Sequence, residues 1–172
     1  MYVSGFTGDD INEYDLSTAW DVRSSTFNSA TGVEASQITG LFFKPDGTKM
    51  YFSDSIGGVV YEVELSTAWD VSTRSGSSQS FDVSAQETQT KEVFFKPDGT
   101  KMYIIGYVGD DVNEYDLSTA WDVTTASFLQ LFSVAAQEIQ PNGLFFEDDG
   151  TQMFVVGQGK DRVFTYSLGV QE

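Results

Sequence analysis

"GLFFKPDGTKMYF" occupies residues 40–52, "EVFFKPDGTKMYI" residues 92–104 and "GLFFEDDGTQMFV" residues 143–155. Each copy runs from an apolar stretch through a Gly-closed turn into a second stretch of strand-forming residues, the order of a β-hairpin. In Lys44-Pro45-Asp46-Gly47 the proline stands where φ must lie near about −65°, and the glycine where a left-handed residue closes the turn. Lys96-Pro97-Asp98-Gly99 repeats that turn. Phe42, Phe94 and Phe145 therefore mark a period of 52 and then 51 residues.

A second ladder keeps step with the first. "STAWDV" recurs at 17–22, 66–71 and 118–123, and two of these copies extend to an identical "NEYDLSTAWDV" at 12–22 and 113–123. One unit then reads as four short strands: A ("GLFFKPD"), B ("TKMYF"), C ("GVVYEVEL") and, after the STAWDV corner, D (such as "SQSFDVS"). Four antiparallel strands repeated at this interval are the signature of β-propeller blades set around a central channel. The expected fold is all-β, a single propeller or propeller segment with units at 1–37, 38–89, 90–140 and 141–172. Met1-Tyr2 aligns with Met50-Tyr51 of strand B, and 161–169 with strand C, so the first blade is expected to lack A and the last to lack D.

"FFKPDGTKMY" resembles the F-x-PDG-T-x-[LM]-Y core of YVTN, NHL and related WD40-like β-propeller repeats. The resemblance covers the A and B strands of three units. Propellers of these kinds include lactonases, sugar-acid hydrolases, lectin-like binders and scaffolds, so the resemblance implies the fold more firmly than an activity. Near-identical blades are similar to those of surface lectins, environmental bacteria and phage virion or tail components. They imply an extracellular, cell-surface or virion-associated protein in preference to a cytoplasmic one.

Composition narrows the chemistry. Nine Lys and Arg against 26 Asp and Glu give a net charge of −17, which repels a phosphate backbone and excludes nucleic acid as a natural partner. The same field suits a solvated acidic coat, divalent cations or a basic protein surface. The chain has 0 Cys and 0 His, which removes disulfides, thiolate metal sites, Ser-His-Asp and Cys-His catalysis and histidine metal cages. The start "MYVSGFTGDD" lacks the pattern of a secretory signal, and no run approaches a membrane span, so no membrane insertion is expected.

In a propeller the A–B and C–D turns share one face and the B–C and D–A connections share the other. The copied PDGT and STAWDV segments thus fall on one face. There Ser17, Ser66 and Ser118 are expected to start a one-turn corner, with Trp20, Trp69 and Trp121 covering the gap to the neighbouring blade. The alternative is a ligand-binding Trp stripe. The opposite face varies between copies, in its B–C tips (5–10, 54–59, 106–111, 157–162) and its D–A connections (31–40, 84–92, 135–143). Binding on a rigid scaffold usually resides in such loops. Phe6 and Tyr107 could stack on a sugar ring or a partner's apolar residue, and Asp9, Asp10, Asp110 and Asp111 could attract a cation. The alternative is that the aromatics fold back onto the blade and the aspartates stay hydrated.

Strand C carries another acidic ladder, Glu13, Glu62 and Glu114, followed two residues on by Asp15, Glu64 and Asp116. Its repetition points to a solvated outer face, and no Asp-x-Asp-x-Asp-Gly calcium loop is present. The expectation is a non-catalytic binding or structural module presenting its variable face to a glycan or protein. No cofactor is required, and calcium is an ion the tips could take. The alternative is a calcium-assisted hydrolase or lactonase, for which Asn142 is the lone Asn at a D–A connection. Unpaired edges on the incomplete blades lead to an expected homodimer or higher oligomer, the other explanation being a piece of a longer propeller.

Overall fold

The period-two segments and Gly turns of the sequence become four consecutive antiparallel meanders in the computed structural model, which describes residues 1–5 and 7–169. The first sheet holds β1 (Tyr2–Ser4), β2 (Asp10–Leu16) and β3 (Ser25–Gly32). The second holds β4 (Ile38–Phe43), β5 (Lys49–Asp54), β6 (Val59–Leu65) and β7 (Arg74–Asp82). The third holds β8 (Thr90–Phe95), β9 (Lys101–Gly106), β10 (Asp111–Leu117) and β11 (Ala126–Ser133), and the fourth β12 (Pro141–Phe146), β13 (Gln152–Gly157) and β14 (Val163–Ser167). The first sheet therefore begins at the B position and the fourth stops at C. No helix among the described residues is long and apolar enough to cross a membrane.

The sheets are arranged radially. At the inner end strand β8 packs between β4 and β12, whereas the outer strands β3 and β7 meet the short 3-10 turns of the following sheet. Apolar side chains fill the seams: Tyr51 and Val60 of the second sheet lie with Val93, Phe95, Ile104 and Tyr115 of the third in one buried cluster. Val112 and Ile105 join Leu144, Phe146 and Met153 in the next.

The hairpin turn is as its sequence requires. Gly47 and Gly99 have φ of 72° and 74°, and Asp46 Oδ1 accepts bonds from the Thr48 amide (3.0 Å) and hydroxyl (2.6 Å). A Cβ on either glycine would run into the indole of Trp69 or Trp121. Gly58, on a longer tip, is equally restricted, with φ 63° and the Glu87 carbonyl against it; Gly57 alone of the pair faces open space.

The copied corner differs in its chemistry from the expectation. Asp21, Asp70 and Asp122, not the serines, cap the 3-10 turns Val22–Ser24, Val71–Thr73 and Val123–Thr125, each accepting the backbone N–H two residues on. Aspartate serves because its carboxylate reaches that amide, while the Ser66 hydroxyl instead donates to the Thr73 carbonyl (3.1 Å). The three tryptophans adopt φ of 65°, 69° and 66°, costly for a bulky residue and offset at Trp69 and Trp121 by fixed partners. Trp69 and Trp121 donate backbone N–H bonds to Gly47 (2.9 Å) and Gly99 (3.0 Å), which joins the two copied segments on one face. The Trp121 ring also lies 5.7 Å from Phe95 and 6.4 Å from Phe42 of the preceding sheet, and its carbonyl accepts from Tyr51 (2.8 Å). Trp20 of the first sheet is 98% exposed.

The acidic ladder of strand C is not a solvated face. Glu13 and Glu62 are 8% and 3% exposed because they lie in the seams between sheets. Glu62 binds Lys49 and accepts the Val123 N–H of the following sheet (2.8 Å), and Glu13 accepts that of Val71 (3.4 Å). Glu114 pairs with Lys101 and accepts from Gln130 (2.8 Å). Of their companions Asp15 and Glu64 are exposed, while Asp116 is half-buried, as is Glu114 itself.

Candidate functional site

The variable face is built from the B–C tips and the D–A connections beside them. Tyr107, third in the hairpin "IGYVGDD", is half-buried, and the Lys91 ammonium lies 4.4 Å from its ring centroid, a cation–π contact. Burial lowers the Lys91 pKa, with Glu87 acting in the opposite sense. Phe6, the counterpart of Tyr107 in the first sheet, lies outside the described residues.

The four aspartates divide into two roles. Asp9 and Asp110 have φ of 49° and 50°, as does Asp161 at 51°, in the position that Gly58 fills in the second sheet. A left-handed backbone is required there, and Asp tolerates it better than most residues. Asp10 and Asp111 begin β2 and β10 and accept side-chain bonds from Asn12 (2.9 Å) and Asn113 (2.6 Å). Burial raises the pKa of Asp110 and of Asp111, and the nearby Glu87 carboxylate raises each further. Among the described residues no group of three or more acidic side chains is arranged to hold a metal ion.

Three buried carboxylates absent from the expected site lie directly beneath this face. Glu87 accepts the backbone N–H groups of Gln89 (2.6 Å), Val108 (3.1 Å) and Gly109 (3.0 Å). Glu138 accepts those of Gln140 (2.9 Å), Gly159 (2.7 Å) and Lys160 (3.0 Å). Asp54 accepts those of Ser36 (2.9 Å), Gln37 (3.1 Å) and Ile56 (2.9 Å). The exposed side chains above them are Ile56, Val108 and Ile139.

Glu92 is the second feature that sequence reading passed over. It stands on the inner strand β8 where the other two copies carry Gly40 and Gly143. Its carboxylate accepts its neighbour's Val93 N–H (3.1 Å) and the Leu41 N–H across the seam. Burial pushes its pKa up to about 7 against these bonds. The signal was available as an acid where both other copies carry glycine.

No family model matches the chain, and no curated protein matches it. Solved structures do. A candidate 6-phosphogluconolactonase from Bacteroides uniformis superposes with a TM-score of 0.70 at 12% identity, over 99% of this chain and 50% of that one. A nidogen/laminin complex gives 0.68 at 12% identity over 96% and 56%, and the Cps50 (Swd1) β-propeller domain of Myceliophteria thermophila 0.61 at 12% over 98% and 50%. The fold is a β-propeller. The four sheets are its blades, and the chain spans about half the length of these propellers. At such identities the likeness carries the fold alone.

Proposed function

We propose that the chain is a non-catalytic binding module whose variable propeller face engages a carbohydrate, or a protein surface of similar polarity. The reading rests on the pairing of Tyr107 with Lys91, a ring and a cation presented together among loops that differ from blade to blade. Aromatic faces stack on the apolar faces of sugar rings, and an ammonium donates to their hydroxyls. The copied face offers less, since its Asp side chains cap turns and Trp69 and Trp121 cover glycines. A glycan array tests the reading. Tyr107→Ala should abolish a hit while Tm is unchanged, whereas loss through Trp20→Ala with a normal melt would move the site to the copied face and overturn it.

A second reading, lactone hydrolysis on the same scaffold, is favoured by Glu92. A carboxylate that titrates near neutrality is suited to act as a general base. Turnover of an aldonolactone that disappears in Glu92→Gln would support it; no turnover by the wild type would remove it, and turnover that survives the substitution would take the base's role away from Glu92.

A further inference from the structure

The buried carboxylates of the variable face hold equivalent backbone groups in three successive blades. Aligned on the strand A phenylalanines, Gln37, Gln89 and Gln140 coincide, as do Ile56, Val108 and Gly159. In every case the N–H groups of both residues point at one carboxylate. The carboxylate comes from different places. In the third and fourth blades it is Glu87 or Glu138 on the D–A connection, opposite Gly106 or Gly157 at the end of strand B. In the second blade the connection carries Ala35, and the strand end carries Asp54.

The two arrangements exclude one another sterically. A Cβ on Gly106 would lie 2.6 Å from Glu87 Cγ, and one on Gly157 2.6 Å from Glu138 Cγ. Ala35 is buried in an apolar cluster, and the amide of the next residue, Ser36, already bonds Asp54 (2.9 Å), so a second carboxylate there would be buried beside the first. The exchange therefore involves two positions at once, Glu with Gly or Ala with Asp, across a seam where buried amides need an acceptor.

We propose that each of these blades carries one interchangeable carboxylate staple, supplied from either side of the seam, which fixes the B–C tip to the preceding D–A connection. Because the staple grips backbone N–H groups, it makes no demand on the side chains of the residues it holds. The exposed Ser36, Thr88 and Ile139 on the connections, and Ile56 and Val108 on the tips, are thereby left to determine what the face binds. This last consequence rests on the binding reading above; the staple does not.

A thermodynamic cycle in the second blade tests the staple. Asp54→Gly strips the acceptor from three amides and should lower Tm by roughly 5–10 °C. Ala35→Glu in the wild-type chain places two carboxylates in one buried spot and should also lower Tm. Ala35→Glu added to Asp54→Gly should raise Tm and recover most of the loss, because it rebuilds the arrangement of the third blade. The sign reversal is the expected result, with fast hydrogen exchange of the Ile56 amide in Asp54→Gly slowed again in the double variant. If Asp54→Gly does not fold, folding of the double variant supports the staple and its failure to fold overturns it. A double variant no more stable than Asp54→Gly likewise overturns it. Ile56→Thr and Val108→Thr should each shift Tm by less than about 2 °C; losses as large as that of Asp54→Gly would show that these side chains are not free.

Discussion

Glu92 shows how one residue can depart from a repeat and carry a distinct property. Its folded pKa of about 7 lies above the ordinary carboxylate value of 4.5, so between these pH values the folded state binds more protons than the unfolded one. Stability from this group is therefore fully present below about pH 4.5 and is lost as pH rises through 7, by at most about 3 kcal/mol. Glu92→Gln should abolish that loss. The expected result is a variant that gains in Tm over the wild type on going from pH 5 to pH 8, measured by thermal melts in matched buffers. A constant difference across that range would show that the carboxylate is hydrated. The position was legible in the sequence as an acid where two copies have glycine, but its environment was not. The Leu41 amide that it reaches belongs to another blade, some fifty residues away.

Strands and turns were readable because their signals are local. Period two sets the strand faces, and Pro and Gly set the hairpin geometry at Lys44-Pro45-Asp46-Gly47. Packing between elements was less readable, and the strand C glutamates show why. Alternation tells which residues share a face, but both faces of a propeller blade are covered by neighbours, so a face bearing Glu13 and Glu62 need not meet water. The short corner "STAWDV" supplies the missing partner, since its Val N–H lies against the carboxylate of the preceding blade. Glu62→Ala should therefore cost roughly 2–4 kcal/mol, from an unsatisfied Val123 N–H and a Lys49 deprived of its buried partner. Glu114→Ala should cost under roughly 1 kcal/mol, because Lys101 keeps its contact with Asp116 and none of the described amides from a following corner is lost. Denaturant unfolding of the two variants measures the contrast, and equal losses would refute the clasp.

At the scale of the molecule, the outward face of the fourth blade has the composition of a seam. Val163 is 65% exposed, whereas its counterpart Val112 is 4% exposed against the fourth blade, and Phe145 is 55% exposed although its ring meets Phe94 of the third blade (5.8 Å). Apolar residues at seam positions gain stability by being covered, whether by further blades or by another molecule. For the 172-residue chain studied by itself, a second copy is the cover at hand, and the expected outcome is a homodimer or larger assembly in dilute solution. Its field of −17 opposes this association, so it should strengthen as added salt screens the repulsion. Val163→Glu places charge on the uncovered face and should give monomers with little change in Tm, since this side chain is exposed and outside the buried clusters. Light scattering at several concentrations separates the outcomes. A wild-type chain that is already monomeric and melts cooperatively would mean that this seam is stable when wet.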